Sequence, residues 1–313
     1  MRKLLCSLAV LALVSPLMAD IYMAGDSTMC DYKKSSQVPQ QGWGQALQWF
    51  MKDSLKLHNH AIGGRSTKSF TNEGRWKAIV DALKPDDWVI IAFGHNDSNR
   101  RKADRYATVD EYRNSMRGFV ADVRAKKANV IFATSIPHSG GFKKTADGKL
   151  AVRGGAAGIG PYVEATRELA KELSVPLVDL NAYAANDLPK RGFDAANKLY
   201  MRIAPGEYVN LPQGKNDGCH IRDTGAFYYA QIAVKLCREQ KLGICSYFKA
   251  DSDVHFKPIP PEGIPQPKTA DNWRDEIRAL RREAMNRGMD KALAERWAAQ
   301  EFRRRQVENT TAK

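Results

Sequence analysis

Beyond its first nineteen residues the sequence has no apolar run long enough to cross a membrane, which excludes a helical span from there on. Cysteine is scarce and never appears as Cys-x₂-Cys, so the paired spacing of a zinc site is missing. No internal repeat is present, which excludes a solenoid or propeller. Acidic residues are in deficit, 35 against 49 basic ones, for a net charge of +14. The basic residues are scattered rather than blocked, and base-stacking aromatics do not cluster among them, which argues against nucleic acid. A spread positive field suits an extracellular polyanion through steering and local concentration. A merely basic secreted protein fits the charge equally well.

What is present starts with a leader. Arg2 and Lys3 precede an apolar stretch over 4–14, then Pro16-Leu17-Met18-Ala19. This predicts a secretory signal over 1–19, cut after Ala19, with Cys6 lost, and a secreted or periplasmic mature chain. Cys30, Cys219, Cys237 and Cys245 remain, an even set that an oxidising compartment allows to pair in three ways.

Strands alternate with helices along the mature chain. Strands are expected at 21–25, weakly before His60-Ala61, and at 87–93, 130–134 and 175–180. Helical patterns cover 42–51, 76–83, 112–125, 161–173 and 224–239, and 135–160 reads as a long surface loop near one rim. That alternation predicts α/β architecture, a parallel sheet covered on both faces, whose post-strand loops gather at one edge. The expected organisation is a catalytic domain over 20–248, a proline-rich connector over 249–270 and a helical tail over 271–313. In the tail Trp273, Ile277, Leu280 and Ala284 form a narrow apolar stripe, which Met289, Leu293 and Trp297 continue past Gly288. The tail either folds against its own domain, the simpler reading, or docks a partner or cell surface.

Four short strings carry chemistry. Gly25-Asp26-Ser27-Thr28 ends the first strand, where a serine can act as a nucleophile; alone, it reads more simply as a helix cap. Gly63-Gly64-Arg65-Ser66 permits a sharp turn that presents an N–H outward, and Arg65 can meet an acidic substrate or hold the loop. Gly94-His95-Asn96-Asp97 follows the clearest buried strand, and the Asn96 amide is a neutral donor suited to a developing oxyanion. Asp217-Gly218-Cys219-His220 places an Asp three residues before a His on an expected fixed turn, where it can orient the imidazole. The first four strand ends bring Ser27, Gly64, Asn96 and His138 towards one rim.

In order and placement these blocks resemble the SGNH (GDSL) hydrolase family over residues 21–239. Gly42-Trp43-Gly44, Ala61-Ile62-Gly63-Gly64-Arg65-Ser66 and Gly94-His95-Asn96-Asp97-Ser98 are similar to rhamnogalacturonan acetylesterases within it. The resemblance implies a flavodoxin-like three-layer α/β/α sandwich with a five-stranded parallel sheet. It implies deacetylation of pectin without metal or cofactor. Ser27 is then the nucleophile, His220 the base and Asp217 its orienter. The oxyanion donors are the Ser27 and Gly64 N–H groups and the Asn96 side chain; Arg65 and His138 are expected to contact substrate.

The segment Ser135-Ile136-Pro137-His138-Ser139 lacks the paired arginines expected beside it, and Lys143, Lys144 and Arg153 are the candidates to replace that charge. The triad implied by the resemblance would bring Cys30 near Cys219, so Cys30–Cys219 and Cys237–Cys245 disulfides are expected. The sequence therefore predicts a secreted serine esterase acting on an acetylated, acidic polysaccharide, rhamnogalacturonan first. Its rivals are a deacetylase of xylan or another carbohydrate, a lipase or lysophospholipase of the same family, and a binding protein on an inactivated scaffold.

Overall fold

The computed structural model of the chain describes residues 19–32, 38–55, 57–147, 149–152, 159–208, 210–258 and 273–311. Residues 1–18 of the expected leader over 1–19, Arg153 and residues 259–270 of the expected connector over 249–270 lie outside the described residues. The order begins β1 (Ile21–Gly25), α1 (Trp43–Leu47), β2 (Leu57–Asn59), α2 (Thr67–Asn72), α3 (Arg75–Ala82), β3 (Trp88–Ala92), α4 (Val109–Ala125) and β4 (Asn129–Ala133). It continues with β5 (Phe142–Lys144), β6 (Leu150–Val152), α5 (Gly160–Glu172), β7 (Leu177–Val178), α6 (Leu180–Arg191) and α7 (Phe193–Asn197). β8 (Tyr200–Ile203), β9 (Lys215–Ile221), α8 (Asp223–Glu239), α9 (Trp273–Asn286) and α10 (Lys291–Thr311) complete it.

Five strands form one parallel sheet in the order β2-β1-β3-β4-β7. Successive side chains of a strand face opposite ways, and the sequence of β1 fills both sides with apolar groups. Ile21 and Met23 join a core with Trp43, Phe50 and Tyr229, under α1, α6 and α8. Tyr22 and Ala24 join Phe70, Phe119 and Tyr162, under α2 to α5. β3 divides the same way, Ile90 to one core and Val89 and Ile91 to the other. Each large apolar side chain so buried contributes about 1.5–3 kcal/mol, so both helical layers are held to the sheet. The three-layer α/β/α sandwich is thereby established. The strand order reverses at β1, which opens a crevice beyond the carboxyl ends of β1 and β3.

Local chemistry shifts several boundaries. α4 starts at Val109 rather than 112 because Thr108 and Glu111 form a capping box, each side chain bonding the other's backbone N–H. The expected loop over 135–160 contains the antiparallel hairpin β5–β6. Asp217 to His220 lie on β9, paired irregularly with β8, and not on a simple turn.

The expected disulfides are not formed: Cys30, Cys219, Cys237 and Cys245 are all free thiols. Cys30 Sγ is aimed at the Ser27 carbonyl, 3.7 Å away, and Cys219 Sγ lies 3.8 Å from His95 Nδ1, so the two point to different partners. Cys237 is turned into the apolar core from α8, whereas Cys245 sits at its margin.

α9 and α10 pack on each other through Leu280, Ala298 and Phe302, flanked by Trp273, Ile277 and Trp297. Ala284 is buried as well, so the stripe on α9 is covered by α10 and not by the catalytic domain, while Leu293 remains 50% exposed. The helices part at Gly288, where the Met289 N–H reaches back to the Ala284 carbonyl and closes the end of α9.

Candidate active site

The site grows from the turn after β1. A Cβ on Gly25 would lie 2.5 Å from Met29 Sδ and 2.8 Å from the Ala92 carbonyl, so only glycine lets the chain turn this close beneath β3. Asp26 then fixes the turn: its Oδ1 accepts the Thr28 N–H at 2.9 Å and the Thr28 hydroxyl at 2.8 Å. Its carbonyl accepts the N–H groups of Met29 and Cys30, and the Tyr32 hydroxyl donates to the Ser27 carbonyl at 2.9 Å. Ser27 is held at the rim, 8% exposed.

The loop after β2 comes alongside. The Ile62 N–H donates to the Gly25 carbonyl at 3.1 Å, and a Cβ on Gly63 would stand 3.7 Å from Ser27 Cβ. Gly64 has φ +81°, left-handed backbone that a side chain would strain. Ser66 ends the loop as the cap of α2, with a reciprocal bond to Ser69. Arg65 is committed to the loop: Nη1 donates to the Gly63 carbonyl at 2.8 Å and Nε to both Glu73 oxygens. Holding the loop, one of the two roles open to it, is the one these contacts describe.

The third loop locks onto the second. Asn96 Nδ2 donates to the Arg65 carbonyl at 3.1 Å, and Asp97 Oδ1 accepts the Thr67 N–H and hydroxyl at 2.9 and 2.6 Å. Asp97 is fully buried, and burial pushes its carboxyl up to about 7 although the Thr67 bonds pull the other way.

The Asp217–His220 pair is set from the far side by β9. His220 Nδ1 bonds Asp217 Oδ2 at 2.6 Å, while Asp217 Oδ1 accepts the N–H groups of Cys219 and His220 at 2.9 and 3.1 Å. Burial alone would raise the Asp217 carboxyl; the bond and attraction to His220, with the two N–H groups, hold it well below the usual range. Arg222 anchors the hairpin, donating to the Tyr200 carbonyl at 3.0 Å and the Arg202 carbonyl at 2.6 Å and pairing with Glu207. Among the described residues no hydrogen bond joins Ser27 Oγ to His220. Such bonds are commonly long in a free enzyme and tighten with substrate. His95 stands between the two sides, near enough to feel both Asp26 and His220.

A cleft of about 890 Å³ opens beside this constellation, bordered by His95, His138 and Cys219 and rimmed by Arg100, Arg101 and Tyr106. Burial, then the nearby His95 and Arg202, brings the His138 imidazole down to about 4, so it is neutral at neutral pH. Its Nδ1 accepts the Gly140 N–H at 2.9 Å. His138 thus reaches the rim as expected. Lys143 and Lys144 do not line the cleft, and Lys144 pairs with Asp194 at 3.3 Å. The cleft's paired arginines are Arg100-Arg101, after β3 rather than β4, a doublet separated from Gly94-His95-Asn96-Asp97 by Ser98-Asn99. Among the described residues no three His, Cys, Asp or Glu side chains converge to hold a metal ion. No described helix is long and apolar enough to cross a membrane.

A parallel sheet of this order, with a buried serine and neutral donors at its strand ends, has the build of a three-layer α/β hydrolase. The chain belongs to the GDSL-like lipase/acylhydrolase family, whose model matches residues 23–201, and is an ester hydrolase of that family. It is 32% identical over 215 residues to the rhamnogalacturonan acetylesterase RhgT of Bacillus subtilis, covering 69% of this chain and 88% of that one. It is 31% identical to the probable rhamnogalacturonan acetylesterase YesY of the same organism, over 70% and 92% of the two chains. The crystal structure of Bacillus subtilis YxiM superposes with a TM-score of 0.61 at 27% identity, covering 72% of this chain. This chain spans 57% of that structure.

Proposed function

We propose that the protein is an exported carbohydrate acetylesterase that removes O-acetyl groups from rhamnogalacturonan by a Ser27-His220-Asp217 mechanism. The observation that carries it is the 2.6 Å bond between His220 Nδ1 and Asp217 Oδ2, which leaves Nε2 as the imidazole's accepting nitrogen. Ser27 Oγ attacks the acetyl carbonyl as its proton passes to His220 Nε2. Asp217 stabilises the imidazolium so formed. The tetrahedral oxyanion is taken by the N–H groups of Ser27 and Gly64 and by Asn96 Nδ2, neutral donors already oriented before reaction. Collapse breaks the C–O bond to the sugar, whose oxygen takes the proton back from His220. Water, activated by the same imidazole, releases acetate and restores Ser27.

Two features support an acidic polysaccharide. Arg100 and Arg101 rim the cleft with fixed positive charge, where uronate carboxylates can be paired. Relatives at 31–32% identity bear the name rhamnogalacturonan acetylesterase. The leader-like 1–19 supports export to where such a polymer is met.

The test is acetate release by wild type and Ser27→Ala from acetylated rhamnogalacturonan, acetylated xylan and a long-chain p-nitrophenyl ester. Serine-dependent release chiefly from the first is expected. Release chiefly from either of the others would reject the substrate, and release that survives the substitution would reject the mechanism.

A further inference from the structure

α9 and α10 do more than cover each other. Between them and the segment leading into β9 lies a separate cavity of about 400 Å³, within the size of one or two sugar residues. Lys215 and Asn216 form one wall, immediately before Asp217; Trp273, Arg274, Arg278 and Arg281 form the other. The family model ends at residue 201, so both walls lie beyond it.

The wall is overloaded with positive charge. Arg278 pairs with Asp275 at 3.1 Å and Arg281 with Glu295 at 3.5 Å. Arg202 reaches the same wall by bonding Asn216 Oδ1, donates to the neutral Ser139 hydroxyl at 3.1 Å and feels the Asp217 carboxylate. Arg274 Nε is buried with no partner among the described residues. Burial, then repulsion from Arg202 with Arg278 adding to it, brings the Arg274 guanidinium down to about 10, against the attraction of Asp194. A guanidinium repelled by three others, Arg202, Arg278 and Arg222, and left with a buried free donor is relieved by an anion. Cys219 borders the cleft and Lys215 and Asn216 border this cavity, so the two lie at successive positions of β9, and Arg202 bonds both Asn216 and Ser139, the neighbour of His138.

We propose that the C-terminal helical hairpin builds a second, carboxylate-binding subsite for the uronate residues of an acidic polysaccharide, in line with the cleft along β9. The inference rests on the acetylesterase reading for its substrate class. Arg274 and Arg278 take the carboxylate, and Trp273, whose ring lies 5.3 Å from the Arg274 guanidinium, backs that arginine from the same wall.

Binding is measured calorimetrically with the full chain carrying Ser27→Ala, using an oligogalacturonate and, as neutral control, a xylo-oligosaccharide of equal length. Adding Arg274→Gln, or Arg278→Gln at a side chain that is 62% exposed, should weaken oligogalacturonate binding about tenfold. Arg278→Lys should recover part of the loss, and the preference for the anionic oligomer should fall with each Gln variant. Unchanged affinity in both Gln variants overturns the subsite. Equal losses for the anionic and neutral oligomers overturn it as well, because they mark a brace for β9 rather than a carboxylate site. Absence of oligogalacturonate binding before the arginines are changed does the same. If the charge-dependent binding holds while wild type releases no acetate from any ester, the esterase reading fails and the subsite stands.

Discussion

Asp97 Oδ1 accepts two hydrogen bonds from Thr67, one from its N–H at 2.9 Å and one from its hydroxyl at 2.6 Å. The loop after β2 and the loop after β3 are thereby one unit. Asn96 adds a bond to the Arg65 carbonyl, so the two proposed non-serine oxyanion donors, Gly64 and Asn96, cannot shift independently.

The state of Asp97 makes a stability prediction. Burial raises its carboxyl from 3.8 to about 7, and its Oδ2 has no partner among the described residues. Between about pH 4 and 7 the folded chain therefore binds a proton that the unfolded chain has lost, so this group's contribution to stability falls as pH rises and is level above that window. Asp97→Asn keeps the acceptor oxygen and removes the titration. Urea unfolding across this range should show a slope changed by at most about 1.4 kcal/mol per pH unit. A variant with the wild-type slope would place the titration on another group.

Asp217→Asn keeps the shape of the side chain but replaces the carboxylate that fixes His220. The turnover number is expected to drop by on the order of 10⁴, with little change in melting temperature. A loss under tenfold would mean that His220 is oriented without Asp217.

For Asn96→Ala, a fall in turnover of about 10²–10³ with a near-normal KM is expected, since the lost donor acts on charge that develops only in the transition state. A rise in KM at constant turnover would instead make Asn96 a ground-state contact.

Arg100→Gln and Arg101→Gln should raise KM for acetylated rhamnogalacturonan several-fold and flatten its dependence on salt, because both side chains sit at the cleft rim in solvent. An unaltered salt dependence would remove these arginines from substrate binding.

Much of this was legible in the chain. Ile21 to Ala24 and Val89 to Ile91 are apolar at every position, the mark of strands buried on both faces, and the sheet follows from them. Ser27, Gly64 and Asn96 fall at strand ends, where topology alone gathers them. The Asp217–His220 bond needed only a three-residue spacing.

The rest depended on partners far along the chain. Asp217-Gly218 has turn composition, yet β8 and the Arg222 anchor hold it as a strand. Across 180–203 the alanines give a weak amphipathic signal and Pro189 sits inside α6, so α6, α7 and β8 left little pattern to read. An even count of cysteines says nothing of where each Sγ points, and Cys219 points to His95. Arg100 and Arg101 reach the cleft only because the chain curls back after Asp97, with the Tyr106 N–H bonded to the Lys102 carbonyl at 2.8 Å.

The central claim is that Ser27 is the nucleophile driven by His220. It is tested most directly by treating the full chain with a fluorophosphonate and locating the adduct by peptide mass spectrometry, alongside His220→Ala. One stoichiometric adduct is expected, on Ser27, formed at least about 10³-fold more slowly in the variant. An adduct on another residue, or equally fast labelling of Ser27 without His220, would contradict it.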